Sequence, residues 1–248
     1  MLEIKRLWKV YKNGSGIKDV SFKIRKGDLV AFVGANGAGK TTTIKTIFKE
    51  IKSDSGSIKY DNHLIEKKDL RKMAFFPDSN NIPLDLKVNE YIEFVGLLYG
   101  IKSSDIENAR IKLLNMLKIT DLGESKLKDL SAGEKKKAIM AATLVYKPEL
   151  IIFDEPTANL DVKSKNEFLT IIKKLHDQGI TIMITSHLID ELQLISNWLV
   201  IIDAGKIIYN AEFDNETQKI IDIHNKLIGK ENPDLNQIDD FYGNKSNT

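Results

Sequence analysis

The pattern of apolar and polar residues predicts an α/β fold, because short apolar runs alternate along the chain with longer stretches of helical spacing. Strands are expected at residues 2–7, 20–24 and 29–33, within residues 53–65, and at residues 73–76, 150–155, 180–185, 198–202 and 207–209. Helices are expected at residues 40–50, 89–99, 104–117, 130–146 and 162–177. Together these elements predict one domain over residues 1–232 and a polar tail at residues 233–248, which lacks periodicity.

The strands and helices are expected to separate into layers. The first strands alternate apolar with polar residues, so we expect an antiparallel β layer that residues 53–65 and 73–76 extend. Helices over about residues 87–146 interrupt the α/β pattern and indicate a helical subdomain that can move or dock against a partner. One of them carries the apolar stripe Tyr91, Phe94, Val95 and Leu98, which is either core or a docking surface.

Composition narrows the classes of function. Of 248 residues, 37 are basic and 35 acidic, so no overall field favours nucleic acid, and none is expected as a partner. The chain has no cysteine, which excludes disulfides, thiolate metal sites and thiol nucleophiles. Charges interrupt the apolar residues of the opening MLEIKRLWKVYK, and no apolar run approaches the length of a membrane span. These features predict a cytosolic protein that does not cross a membrane by itself.

The segment GANGAGKTT at residues 34–42 lies between an expected strand and an expected helix. Gly34, Gly37 and Gly39 allow the backbone to turn its N–H groups inward, and the helix start adds a positive dipole end. Lys40 can reach the β- and γ-phosphates of a nucleotide, and Thr41 can ligate a phosphate-bound Mg²⁺. The alternative is a flexible glycine-rich loop that matches by chance, but the strand–loop–helix context favours a phosphate-binding loop.

Further polar residues are expected beside this loop, where parallel strands end. Asp154 and Glu155 close the apolar run LIIF, which suits a Mg²⁺ ligand followed by a group that polarises an attacking water. His187 follows the expected strand at residues 180–185 and is a candidate on the same edge. The alternatives are solvated acids at a strand end and a histidine with an ordinary structural partner. Tyr11 ends the first strand and offers a flat partner for adenine, with simple edge-strand packing as the alternative.

The segment LSAGE at residues 130–134 has the spacing of a helix capping box formed by Ser131 and Glu134. The capping box explains both residues without any function. The three lysines that follow, residues 135–137, are expected to form a solvated helix face.

Taken together, these motifs resemble the ATP-binding cassette ATPases that drive ABC transporters, over about residues 2–210. The segment at residues 34–42 is similar to the family's Walker A motif, LSAGE to its signature motif, LIIFDE at residues 150–155 to Walker B, and ANLD at residues 158–161 to the D-loop. His187 falls at the switch histidine, and Tyr11 at the aromatic residue that stacks on adenine. The resemblance implies an α/β fold with a P-loop NTPase core, an antiparallel β layer and a helical signature subdomain.

The resemblance also implies ATP and Mg²⁺ as cofactors and assigns the site residues. Catalytic positions are Glu155 and His187, and metal positions are Thr41, Asp78 and Asp154. Nucleotide-binding positions are Tyr11, Gly34, Asn36, Gly37, Ala38, Gly39, Lys40, Thr41, Thr42, Ser131, Gly133, Glu134 and Asp161.

Two partners are implied by the same family. In ABC ATPases the signature helix of one subunit contacts the γ-phosphate of ATP held by the other, so a head-to-tail dimer with itself or a paralogue is expected. An integral membrane permease is the second partner, which would place the chain in the cytoplasm on the inner face of the cell membrane. A soluble cassette acting on ribosomes or nucleic acid is the alternative, although such proteins usually carry two cassettes or a long coiled insertion. A small-molecule kinase would leave LSAGE and the D-loop unexplained.

The sequence departs from the family pattern at three positions. Asp78 stands where the family usually has a glutamine that binds Mg²⁺ and senses the membrane partner. Asp78 can supply an oxygen ligand but no amide N–H, and acidic residues here resemble a subgroup of bacterial exporter or ABC-2-type ATPases. Ala132 and Glu134 replace the commoner glycine and glutamine of the signature motif.

Overall fold

Two β-sheets organise the chain. The computed structural model describes residues 1–76, 81–186 and 189–229, so the predicted tail at residues 233–248 lies outside the described residues. The strands are β1 Leu2–Val10, β2 Gly16–Ile24, β3 Leu29–Val33, β4 Ser55–Tyr60, β5 His63–Leu64, β6 Met73–Phe76, β7 Leu150–Asp154, β8 Thr181–Thr185, β9 Trp198–Asp203 and β10 Lys206–Glu212.

Eight α-helices accompany these strands in the described residues. They are α1 Lys40–Ile47, α2 Lys67–Leu70, α3 Val88–Leu98, α4 Ser103–Met116, α5 Ala132–Leu144, α6 Val162–Asp177, α7 Ile189–Gln193 and α8 Ile220–Ile228. Two 3₁₀ turns, Thr120–Leu122 and Leu127–Asp129, lie between α4 and α5. None of the helices described by the structure has both the length and the apolar character needed to cross a bilayer.

The smaller sheet is the predicted antiparallel layer, with strand order β2-β1-β4-β5. β1 lies between β2 and β4 and pairs antiparallel with both. β4 and β5 form a hairpin through Asp61 and Asn62, whose φ values of 45° and 69° are left-handed. Asn and Asp tolerate this region better than most residues, which explains why the turn occurs here.

The larger sheet has the strand order β10-β9-β3-β8-β7-β6. β9, β3, β8, β7 and β6 are mutually parallel, and β10 adds an antiparallel edge. All five residues of β3 and all five of β8 are buried, as expected for strands covered on both faces. β3 and β7 therefore end on one edge of the sheet, where the phosphate loop follows β3.

The prediction that residues 73–76 extend the antiparallel layer was wrong. β6 instead pairs in parallel with β7, with Met73 opposite Leu150 and Phe76 opposite Phe153. Its sequence MAFF has no polar residue, and three of its four residues are buried. Such a strand cannot leave one face in water, so it joins the sheet that is covered on both sides.

Two apolar clusters cover opposite faces of the larger sheet. Alternate residues of β7 show the division: Ile151 and Phe153 belong to the cluster that includes residues of α3, α4, α5 and α6. Leu150 and Ile152 belong to the cluster that includes residues of the antiparallel sheet and α1. The parallel sheet is thus the middle layer, with apolar residues packed on both of its faces.

The apolar stripe predicted on α3 is divided between core and surface. Tyr91 is buried, and Val95 packs against the core. Phe94 is 51% exposed and Leu98 is 66% exposed. Helical spacing placed all four residues on one face, but the core takes the neighbouring face that contains Ile92. The exposed pair therefore remains available as a contact surface.

Candidate functional site

The glycine-rich loop after β3 has a conformation that its glycines permit. A Cβ on Gly34 would lie 2.4 Å from the carbonyl oxygen of Ile202, so the close approach of β9 excludes a side chain. Gly39 is the N-cap of α1 with φ of 113°, which L side chains rarely adopt. The loop therefore leads directly from a buried strand into a helix start, the arrangement that binds phosphate.

Lys40 folds back over this loop. Its Nζ donates hydrogen bonds to the carbonyl oxygens of Gly34 at 2.6 Å and Ala35 at 3.2 Å, and the residue is only 6% exposed. A positive charge held inside the loop, together with the start of α1, gives an anion two sources of attraction. Lys40 therefore lies inside the loop, and its contact with a bound phosphate stays a prediction.

Asp154 lies at the end of β7, opposite the start of α1. Its Oδ2 accepts a hydrogen bond of 3.1 Å from the Thr41 hydroxyl, and its Oδ1 accepts one from the Thr185 hydroxyl. A carboxylate and a hydroxyl within one hydrogen bond form the kind of oxygen set that Mg²⁺ uses, with phosphate oxygens and water completing its shell. The residues present therefore fit a phosphate-bound Mg²⁺.

Glu155 follows at the bend that ends this strand. Its φ of 48° is left-handed, and its backbone N–H is shared between the carbonyl and hydroxyl oxygens of Thr185, both at 3.1 Å. A non-glycine residue in this region costs about 1–3 kcal/mol and persists only where its surroundings hold it. The bend brings Glu155 into the wall of the same cleft as Asp154.

This cleft has a volume of about 620 Å³, within the range of small-molecule sites. The predicted residues that line it are Asn36, Gly37, Gly39, Lys40, Thr41, Thr42, Asp154 and Glu155. Gly34 and Ala38 lie behind the lining, where Ala38 is buried and accepts a backbone hydrogen bond from Gly205. The residues predicted separately from Walker A and Walker B thus meet in one site.

Tyr11 lies near this cleft, just past its edge. It is 40% exposed, and its backbone N–H donates to the carbonyl of Ser15 at 2.8 Å. Ser15 and Gly16, at the other end of the same turn, line the cleft. The turn that begins at Tyr11 therefore reaches the cleft lining, and adenine stacking stays a prediction.

The signature residues form the predicted capping box. The backbone N–H and hydroxyl of Ser131 donate to Glu134 Oε2 at 2.9 and 2.6 Å, and the Glu134 N–H donates back at 3.4 Å. The hydrogen bonds from the Ser131 hydroxyl and backbone hold the pKa of Glu134 below its usual value. Neither residue lines the cleft, so one chain does not bring its signature motif to its own phosphate loop.

Asp161 and Gly133 belong to the same surface as Ser131. Asp161 caps α6 by accepting hydrogen bonds from the hydroxyl and N–H of Ser164, which lower its pKa. A Cβ on Gly133 would lie 3.0 Å from the Ser164 hydroxyl, so the starts of α5 and α6 are in close contact. Asp161 and Gly133 also lie outside the cleft lining.

The prediction that all three lysines after LSAGE are solvated was wrong for Lys136. This residue is 6% exposed, and its Nζ donates to the carbonyl oxygens of Pro156 and of Ala158, the latter at 2.8 Å. Lys136 also lines the cleft. A run of three lysines contains no signal for this, because burial depends on where the turn after β7 comes to lie.

Two predicted site residues, Asp78 and His187, lie outside the described residues. Their metal-binding and catalytic assignments therefore rest on the sequence.

Comparison with known proteins identifies the protein family of this chain. The sequence model of the ABC transporter family matches residues 17–158, more than half of the chain. The chain is 32% identical over 211 residues to the linearmycin resistance ATP-binding protein LnrL of Bacillus subtilis (strain 168), covering 84% of this chain and 68% of LnrL. It is 32% identical over 214 residues to the lantibiotic transport ATP-binding protein SrtF of Streptococcus pyogenes, covering 86% of this chain and 92% of SrtF.

Solved structures agree on the fold. An ATP-binding subunit of an ABC transporter matches with a TM-score of 0.82 and 24% sequence identity, covering 92% of this chain and 99% of its own. The ATP-binding cassette MJ0796, a dimer in a post-hydrolysis state bound to ADP and Pi, matches with a TM-score of 0.77 and 23% identity, covering 86% and 99%. The predicted fold class is confirmed. The chain belongs to the ABC transporter family, as one of its ATP-binding cassettes.

Proposed function

We propose that this cassette binds and hydrolyses ATP as one subunit of a dimer that powers a separate membrane permease in export. The observation that carries the proposal is the convergence of Lys40, Thr41, Asp154 and Glu155 on one cleft. The loop before α1 supplies N–H groups and a helix dipole for phosphate. The two carboxylates at the end of β7 supply the metal ligand and the base that phosphoryl transfer to water needs.

Each residue of the cleft has a distinct task in this proposal. Lys40 binds the β- and γ-phosphates as a point charge, and Thr41 and Asp154 hold Mg²⁺. Bound Mg²⁺ neutralises charge that builds up on the phosphate oxygens. Glu155 orients a water molecule and accepts its proton as the water oxygen bonds to the γ-phosphorus and the bond to the ADP oxygen breaks. His187 keeps the catalytic assignment that the resemblance gives it, and Tyr11 stacks on adenine.

The second subunit supplies the groups that one chain keeps away from its own cleft. These groups lie on a surface formed by the starts of α5 and α6, outside the cleft lining; they are Ser131, Gly133, Glu134 and Asp161. A helix start suits the γ-phosphate of a nucleotide held by another chain. The MJ0796 cassette is a dimer, which supports the proposal that this chain also acts as a dimer. The partner is an identical chain or a paralogue, and closure of the two buries two ATP molecules.

The proposed dimer predicts that a negative charge added at the start of α5 weakens dimerisation in ATP. Ala132→Glu adds a carboxylate at the first residue of this helix, where it stabilises the isolated helix but repels a partner's γ-phosphate. Like charges across an interface cost several kcal/mol, so dimer affinity in ATP should fall by about tenfold or more. Light scattering after gel filtration, in a hydrolysis-deficient background, measures the dimer.

Ser103→Glu is the matched control, because it places the same charge at the first, exposed residue of α4. ATP binding by the isolated subunit should be equal in both variants and the parent. An Ala132→Glu variant that dimerises as strongly as Ser103→Glu would contradict the proposed interface.

The permease is the second partner, and export is supported by the names of the relatives LnrL and SrtF, which concern resistance and lantibiotic transport. The helices α3 and α4 expose Phe94, Leu97, Leu98, Ile111 and Met116, an apolar surface that suits docking. We place the cassette in the cytoplasm on the inner face of the membrane. With 37 basic and 35 acidic residues, its charge gives no reason to propose a nucleic-acid partner.

Asp78 tests the coupling to the permease. It follows β6 by two residues in the sequence, at the family position that senses the membrane partner. Asp78→Ala should leave ATP binding by the isolated subunit largely intact and weaken the stimulation of hydrolysis by the permease. The readout is the ratio of turnover with the permease to turnover without it, because this ratio divides out changes in basal activity. Equal ratios in parent and variant, in reconstituted membranes, would reject the coupling role.

A further inference from the structure

Lys136 is a buried cation in the wall of the cleft. Its burial is not predicted by the sequence pattern. It belongs to α5, the helix that begins at the signature motif, but its Nζ reaches across to the turn that follows β7. Burying an ammonium group costs several kcal/mol unless hydrogen bonds replace its water. The carbonyl oxygens of Pro156 and Ala158 accept from it and so replace part of that water.

The turn that Lys136 holds begins with Glu155. Two of its residues, Glu155 and Asn159, have left-handed φ values of 48° and 64°. Within the turn, the Ala158 N–H donates to the Glu155 carbonyl at 3.2 Å. A turn with two strained residues keeps one shape only when surrounding groups fix it, so the side chains that fix it also decide where Glu155 lies.

Neighbouring elements fix the turn from different sides. Thr185 at the end of β8 accepts the Glu155 N–H. Glu191 on α7, which is buried, accepts a hydrogen bond from the Thr157 hydroxyl and pairs with Lys165 of α6 at 2.8 Å. Lys136 is the support from α5 and contacts two carbonyls of the turn. Lys136, Pro156 and Ala158 all line the cleft.

We propose that Lys136 is a positioning residue for ATP hydrolysis. Its ammonium group fixes the carbonyls of Pro156 and Ala158, and the fixed turn sets the carboxylate of Glu155 for the attacking water. This inference rests on the proposed role of Glu155 as the base. The same lysine ties the helix of the signature motif to the catalytic turn of its own chain.

The test compares Lys136→Met with Lys137→Met. Methionine keeps an unbranched apolar side chain that is one atom shorter than lysine, and it removes the hydrogen-bond donors and the charge. Lys137 is the matched control because it is the next residue of α5, and its Nζ pairs with Glu167 of α6, 2.9 Å from Oε2, instead of with the turn. Lys136→Met should lower kcat by about 10–100-fold, since small displacements of catalytic groups have effects of that order. Its KM for ATP should stay within about threefold of the parent, and Lys137→Met should keep both parameters.

Lys136→Gln provides a second variant in case the methionine variant does not fold, with thermal unfolding as the check on both. An amide donates a hydrogen bond without charge, so we expect it to recover part of the kcat lost in Lys136→Met. Parent-like kcat in Lys136→Met, or equal losses in Lys136→Met and Lys137→Met, would overturn the proposal.

A double variant separates positioning from a general structural effect. If Lys136 acts through Glu155, then adding Lys136→Met to the Glu155→Gln variant should lower the rate of single-turnover hydrolysis by less than about threefold. The effects of two groups that act as a unit do not multiply, so removing the second group adds little to the loss. Independent, multiplying losses would overturn the proposal. Failure of the base assignment itself would appear differently, as normal turnover in the Glu155→Gln single variant.

Discussion

Replacing Glu155 with glutamine is expected to lower steady-state ATP hydrolysis by about 10²–10⁴-fold, the usual effect of losing a positioned general base. Glutamine has nearly the same shape but cannot take the proton of the attacking water. Glu155 lies at the end of β7 directly after Asp154, and both residues line the cleft. ATP binding should persist, so ATP-dependent dimers should accumulate. Phosphate release measures turnover, and gel filtration in ATP measures the dimers.

Glu107→Gln is the matched control for this substitution, because it makes the same chemical change on the exposed surface of α4. Its turnover should equal that of the parent. Near-normal turnover in Glu155→Gln would remove Glu155 from the chemistry and point to another base.

Replacing Lys40 with alanine is expected to weaken ATP binding by about 10- to 100-fold, and hydrolysis should fall with it. Hydrogen bonds to charged groups contribute about 1.5–3 kcal/mol each, and this factor corresponds to one such bond. The Lys40 ammonium is already inside the loop, on the carbonyl oxygens of Gly34 and Ala35. Titration calorimetry with ATP measures the change in affinity directly.

Lys45→Ala controls for the positive charge of the cleft as a whole. Lys45 is on the same helix and also lines the cleft, but it is not part of the loop. We expect a much smaller loss of affinity in this variant. If Lys40→Ala binds ATP as tightly as the parent, the lysine does not contact the phosphates.

The sequence was sufficient for the parts of the site that are local in the chain. The phosphate loop, the capping box of Ser131 and Glu134, and the acids at the end of β7 each depend on a few consecutive residues. Their local patterns therefore predict their geometry. α6 was predicted with its observed ends for the same reason, since Asp161 caps its start and Gly179 follows its end.

Features that depend on distant parts of the chain were missed. The sheet that β6 joins depends on β7, more than 70 residues later. The burial of Lys136 depends on the turn after β7, about 20 residues beyond it in the chain. The core-facing side of α3 depends on how it packs against α4 and α5, which helical spacing alone does not specify. The short helices α2 and α7 were not predicted. α8 was not predicted either, although its apolar residues Ile220, Ile223 and Leu227 recur at helical spacing.

The order of strands in the larger sheet has a consequence for the synthesis of the protein. β3, which leads into the phosphate loop, pairs with β8 and β9, and β8 begins about 150 residues later. At about 5–20 residues per second, those neighbours follow β3 out of the ribosome on the order of ten seconds later. The β1–β2 hairpin can form early. The apolar strand β3, beside the ATP site, stays unpaired until β8 and β9 have been synthesised. Nascent chains that end before β8 should therefore gain no stability from ATP, and need protection from aggregation.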